Sequence, residues 1–196
     1  MIFLGCPRSG TKYITKVCES VGKKVGHERC AKNGISYWKL VAGTEHAHAG
    51  LMSFAGHRVL HQVRDPIATI GSMQTLGGNA WSFMRKHLDL PKIKGESKIV
   101  VGAKAWVGWN KRAQEIAQHT YRVESLTDPD VWTKFCKWTG IDIGVRAIYS
   151  VPFDVNTRLG HVKYASITGR TLRDLNEEVW REVKDLAASY GYRVKS

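Results

Sequence analysis

The sequence predicts an α/β protein of three layers, with a central, mostly parallel sheet flanked by helices. Three observations predict it. The apolar run Ile2-Phe3-Leu4 ends at Gly5, and a polar loop then leads into a helical pattern from Thr11. The same order returns at residues 58–72, where Arg58-Val59-Leu60-His61-Gln62-Val63 reads as a strand and Arg64-Asp65-Pro66 opens a helix. Strand-like and helix-like segments then alternate along the chain, which places helices on both faces of a parallel sheet.

The elements follow in order. A strand near 2–5 precedes a helix near 11–21, and a second strand lies near 24–28. Residues 29–57 contain Gly34, Gly43, Gly50 and Gly56 and read as short helical pieces and loops. A strand near 58–63 leads to a helix near 66–76, in which Asp65 is the N-cap and Pro66 suits the first helical position. Gly77-Gly78 breaks that helix, and another follows at 80–88. A long helix near 98–119 carries Trp106, Trp109, Ile116 and Ala117 at helical spacing. The next strand lies near 120–124, and Asp128-Pro129 opens a helix that ends before Gly140. Residues 141–170 carry no clear periodicity. A last helix near 175–190 has Leu175, Val179, Val183, Leu186, Ala187 and Tyr190 on one stripe.

The length of 196 residues suits a single domain over 1–196, and 43% hydrophobic residues can fill its core. No stretch is apolar enough to span a membrane, and the first strand starts at residue 2, so a cytoplasmic protein is expected. Cys6, Cys18, Cys30 and Cys136 form no metal-ligand spacing and are expected to be free thiols. Lys and Arg number 30 against 17 Asp and Glu, a net charge of +13. Such a surface attracts anionic ligands. No helix-turn-helix, zinc-finger or RNA-binding aromatic signature accompanies the charge, so nucleic acid is the rival partner rather than the expected one.

The loop after the first strand carries the chemistry. Backbone N–H groups of such a loop form an anion-binding concavity, and the helix behind adds partial positive charge. A nucleotide P-loop reads G-x-x-x-x-G-K-[ST]. Here Gly5 and Gly10 hold the glycine places, but Thr11 replaces the lysine and Lys12 the metal-binding hydroxyl. Both changes speak against an NTPase, which needs that lysine on the phosphates and that hydroxyl on the metal.

Pro7-Arg8-Ser9-Gly10-Thr11 resembles the 5′-phosphosulfate loop of sulfotransferases, written P-[RK]-S-G-T. The resemblance implies a P-loop-type α/β fold and 3′-phosphoadenosine 5′-phosphosulfate (PAPS) as donor. It implies 3′-phosphoadenosine 5′-phosphate (PAP) as product and no metal. In that family an arginine after a later strand and a serine on the next helix grip the 3′-phosphate. Arg64, with Ser72 eight residues on, matches the spacing. Val25-Gly26-His27-Glu28 resembles the second strand of tyrosylprotein and some bacterial sulfotransferases, which ends in a catalytic glutamate. Residues 121–126 and 187–192 resemble a late strand-and-turn and a frequent helix ending. The chain departs from the family in being short, in Lys12, and in lacking an arginine-lysine-glycine segment.

The resemblance assigns Arg8, Thr11, Lys12 and the loop amides to the sulfuryl group and the leaving phosphate. Glu28 is the first choice of base and His27 the second, with a Glu28–Arg29 ion pair as the structural alternative. Side chains alternate across a strand, so His27 and Glu28 are not expected to share a face. Gly5, Glu28, Arg64 and Glu124 follow predicted strands and are expected to converge beyond their carboxyl ends. His61 reads as a core residue, and His46 and His48 as surface. Trp106 and Trp109 read as core or acceptor-pocket wall. Lys104 and Arg112 face solvent or an anion, and Asn156 with Arg158 are weaker candidates for the 3′-phosphate. The acceptor is a hydroxyl or amine, and the basic charge suits an acidic one. A P-loop small-molecule kinase and a non-catalytic basic nucleotide- or nucleic-acid-binding module stay open as alternatives.

Overall fold

The computed structural model describes residues 1–46, 53–141, 151 and 166–195. The strands are β1 (Ile2–Gly5), β2 (Val25–His27), β3 (Gly34–Ser36), β4 (Val59–Val63) and β5 (His119–Arg122). The α-helices are α1 (Thr11–Ser20), α2 (Pro66–Met73), α3 (Gly78–His87), α4 (Lys98–Ile116), α5 (Pro129–Thr139), α6 (Gly169–Leu175) and α7 (Glu177–Ser189). The strands form one sheet in the order β2-β3-β1-β4-β5, with every pairing parallel. The fold is therefore α/β, a parallel sheet flanked by helices, as the sequence predicts.

The chain divides into two compact units. One holds Met1–Arg64 and the described part of Arg112–Thr157, the other Asp65–Lys111 and the described part of Arg158–Ser196. The first unit contains the whole sheet. Register aligns Phe3 of β1 with Leu60 of β4, and Gly5 with Gln62 and Tyr121. Phe3, Leu60 and Tyr121 thus share a face and pack with Tyr13, Ile14 and Val17 of α1 and Trp132 and Phe135 of α5. β1 is central, and Ile2, Phe3 and Leu4 are fully buried. A strand buried on both faces is a continuous apolar run rather than an alternating one.

Helix boundaries follow from capping. Asp128 Oδ1 accepts from the amides of Asp130 (2.9 Å) and Val131 (3.3 Å), and Gly140 ends α5 in the left-handed conformation. In the second unit Asp65 Oδ1 accepts from Ala68 N at 2.8 Å, with Pro66 in the first turn of α2. Trp106 and Trp109 are fully buried on α4, with Phe83 6.0 Å from Trp109 and Tyr190 6.3 Å from Trp106 between ring centroids. They are core residues of that unit.

Three expectations need correction. β3 lies inside the stretch read as helical pieces and loops. It has three residues, too few for a period, and exists because it pairs with both β1 and β2. β5 spans His119–Arg122, and residues Val123–Thr127 form a 3₁₀ helix. The last helix is α7, as expected, but Leu175 is not on it: Leu175 ends the preceding α6, and Asn176 caps α7 by accepting from Val179 N at 3.0 Å. Among the described residues no helix is long and apolar enough to cross a membrane.

Phe135 is the centre of the α5 contact with the sheet. Its ring lies 6.1 Å from Phe3, 5.2 Å from Tyr121 and 5.4 Å from Trp132. Phe135→Ala leaves a cavity there and is expected to cost about 3–5 kcal/mol, read as a lower midpoint in denaturant unfolding.

Candidate anion-binding site at the carboxyl end of the sheet

The loop from Cys6 to Gly10 leaves β1 against β4. Gly5 is required by close approach: a Cβ there would lie 2.5 Å from Ser9 Oγ and 2.7 Å from the Gln62 carbonyl oxygen. Ser9 N donates to Cys6 O at 3.1 Å, turning the chain back. Arg8 (φ 72°) and Gly10 (φ 95°) are both left-handed. Left-handed residues beside right-handed ones turn successive N–H groups toward a common anion. Gly10 is the N-cap of α1, no side chain caps that end, and no acid occupies its first turn. The end of α1 therefore keeps its positive polarity.

A buried chain of hydrogen bonds fixes the loop. Tyr121 Oη donates to Gln62 Oε1 at 3.1 Å, and Gln62 Nε2 donates to Ser9 O at 3.2 Å and Ser9 Oγ at 3.4 Å. Ser9, Gln62 and Tyr121 are all buried. Burial pushes the Tyr121 phenol far above its ordinary range, so it stays a donor. From the end of β4, Arg64 Nη1 donates to Arg8 O at 3.2 Å. Arg64 is thus drawn to the loop itself.

The other side of the site comes from β2. Thr11 Oγ1 lies 3.2 Å from His27 Nε2. Burial lowers the His27 pKa, Glu28 raises it by a smaller amount, and the Lys12 charge lowers it. The imidazole is therefore neutral at neutral pH, and it shares one electrostatic neighbourhood with Lys12 and Glu28. Glu28 follows β2 with φ 62°, and its amide donates to Ser36 O at 3.0 Å. Because Glu28 has left the strand, strand alternation no longer fixes its direction relative to His27. Its side chain is exposed. The nearby Tyr37 phenol is pushed up to about 12, first by burial and then by the Glu28 charge. Among the described residues, Arg8 and Glu28 are the non-glycine residues with positive φ. Such conformations cost about 1–3 kcal/mol each and cluster at functional sites.

The structure brings Arg8, Ser9, Gly10, Thr11, Lys12, His27, Glu28 and Arg64 into the first unit, around the loop end of the sheet. Pro7 is buried within the loop turn, and Lys12 is exposed. Val123 lies 3.4 Å from where a Cβ on Gly10 would be, so the segment bearing Glu124 also borders the loop. Ser72 is on α2, in the second unit. The ion pairs of the described residues do not include Glu28 with Arg29. His61 is fully buried with Nδ1 3.3 Å from Thr120 Oγ1, a core histidine. His46 lies beside Glu45 at 3.3 Å, and Lys104 pairs with Glu96 at 3.8 Å. Arg112 is exposed. His48, Asn156 and Arg158 lie outside the described residues. Among the described residues no cluster of His, Cys, Asp and Glu could hold a metal.

Comparison of the chain with models of known families, with curated proteins and with solved structures gives no match.

Gln62 and Tyr121 are the site residues that sequence reasoning passes over. A polar residue inside an apolar strand was the available signal. Gln62→Leu removes both bonds to Ser9 and leaves the Tyr121 hydroxyl buried without its acceptor. It is expected to cost about 1–3 kcal/mol in chemical denaturation and to weaken sulfate binding in calorimetry.

Proposed function

We propose that the chain transfers a sulfuryl group from PAPS to a hydroxyl or amine acceptor. The observation that carries the reading is the loop: an uncapped helix start behind left-handed Arg8 and Gly10, with Thr11 and Lys12 where a nucleotide triphosphatase has lysine and a metal-binding hydroxyl. That loop suits a sulfate or phosphate ester held without a metal. The match of Pro7 to Thr11 with the phosphosulfate loop selects the sulfuryl donor among such ligands.

The acceptor oxygen or nitrogen forms a bond to sulfur while the bond from sulfur to the 5′-phosphate oxygen breaks. The bonding electrons leave with the phosphate of PAP, and the acceptor proton passes to a base. The loop amides, Arg8, Thr11 and Lys12 stabilise the charge on the departing phosphate, a task for preorganised donors. Arg64 is assigned to the 3′-phosphate. Glu28 is the proposed base, since it lies at the end of β2 with its side chain exposed. His27 is already engaged with Thr11 and serves to orient that hydroxyl.

PAP is expected to bind more tightly than ADP, without Mg²⁺. A charged hydrogen bond contributes about 1.5–3 kcal/mol, so a preference of about tenfold or more should appear in calorimetry. Equal affinities would overturn the assignment. A requirement for Mg²⁺ and ATP would point instead to a kinase.

Glu28→Gln keeps the shape of the side chain but cannot take a proton. It is expected to leave PAP affinity near that of the parent and to reduce transfer by about 10²–10⁴, assayed from labelled PAPS to an acceptor found by screening. His27→Gln should lose less. The opposite order would make His27 the base.

A further inference from the structure

The first unit has a second cleft, at the opposite ends of the same strands. Its volume is about 850 Å³, and Arg58, Gln118, His119, Lys134, Lys137 and Trp138 line it. Arg58 immediately precedes β4, and Gln118 and His119 open β5. Lys134, Lys137 and Trp138 lie three and four residues apart on α5, on one helix face.

The walls are built rather than incidental. Val59 N donates to Gln118 Oε1 at 2.9 Å, and Gln118 N donates to Val59 O at 2.9 Å, which fixes the floor. The His119 and Trp138 rings stack with centroids 4.5 Å apart and planes 9° from parallel. Gly140 has φ +67°, and a Cβ there would strike Arg58 Nη1, so this glycine admits the guanidinium to the end of α5. The carbonyl end of α5 attracts that charge. It accounts for Arg58 alone, since Lys134 and Lys137 point from the exposed face.

Among the described residues, no carboxylate lines the cleft. Among the described residues, none of Arg58, Lys134 and Lys137 makes an ion pair. Three cations beside one cleft repel one another unless an anion joins them. An isolated phosphate or sulfate would leave the aromatic wall unused. A phosphate carrying a flat ring would use both features, charge for the phosphate and the aromatic pair for the ring. The volume lies within the roughly 300–1,000 Å³ of small-molecule sites.

We infer that this cleft is a second binding site, separate from the loop, for a nucleotide unit: phosphate on Arg58, Lys134 and Lys137, base on the His119–Trp138 pair. The unit is supplied either by single-stranded nucleic acid or by a free nucleotide.

The test is fluorescence anisotropy of the full chain with a labelled oligothymidylate of about ten nucleotides at two salt concentrations. Lys134→Glu with Lys137→Glu should weaken binding about tenfold or more and flatten the salt dependence. Lys98→Glu with Lys184→Glu makes the same net-charge change at exposed positions elsewhere and should alter affinity by less than about twofold. Trp138→Leu should weaken binding about fivefold or more without changing the salt slope, and Trp138→Phe should retain most of it. Circular dichroism confirms that each variant is folded. Thymidine monophosphate that competes only weakly identifies a strand as the source of the unit. Thymidine monophosphate that competes as well as the oligonucleotide identifies the free nucleotide, and either result supports the site. Equal losses in the cleft and control charge reversals, or no loss in Trp138→Leu, would overturn it as a matter of net charge. Loss of oligonucleotide binding in Arg8→Ala, with the cleft variants unaffected, would overturn it by placing the ligand at the loop.

Discussion

The side-chain amide of Gln62 joins the sheet to the loop. It accepts from Tyr121 on β5 and donates to Ser9 between Arg8 and Gly10. An amide has one acceptor end and one donor end, and this arrangement uses both. The three buried groups therefore satisfy one another, and none needs water. A loop of five residues would otherwise sample many conformations, and ordering it costs backbone entropy at each residue. The glycine at position 5 belongs to the same constraint, because only without a Cβ can Ser9 come close enough to Gln62.

Once the loop is fixed, the charges around it fall into place. Arg64 reaches the carbonyl of Arg8, His27 reaches Thr11, and Lys12 stands exposed at the start of α1. The Thr11 hydroxyl and the His27 ring share a single hydrogen bond, which holds two elements of the site in register. Arg8 and Glu28 both occupy conformations that L-residues avoid, on opposite sides of that bond. Neither position has been resolved in favour of glycine, the residue that would relieve the strain. The side chains there, a guanidinium and a carboxylate, are what the strain maintains.

Most of the fold was legible because its boundaries are written in strong local signals. Asp65-Pro66 and Asp128-Pro129 start helices by capping, and Gly140 stops one. The apolar run of β1 announces itself because both faces of the strand are buried. β3 was not legible, since three residues hold no period and its existence depends on two distant partners. The start of α7 was signalled by Asn176 followed by Glu177 and Glu178, and only Leu175, which continues the apolar stripe by spacing, was placed on the wrong helix. In the site, the loop and Arg64 could be read directly. The roles of Gln62 and Tyr121 could not, because a strand pattern does not reveal which polar residue stands opposite which until the register is known. The conformation of Glu28 was likewise hidden, as nothing in the sequence marks the residue after His27 as left-handed.

The register that makes the loop rigid also makes it late. Tyr121 is separated by 59 residues from the Gln62 it binds, and Gln62 by 53 from Ser9. Contacts so distant along the chain form slowly, since a long segment must be closed before they are rewarded. During ribosomal synthesis the loop residues emerge well before β5, so the last brace on Ser9 waits for the segment that carries Tyr121. Until then β4 presents its outer edge to its surroundings, an opening for unwanted strand pairing. The arrival of β5 does two things at once: it closes that edge of β4 and completes the support of the loop.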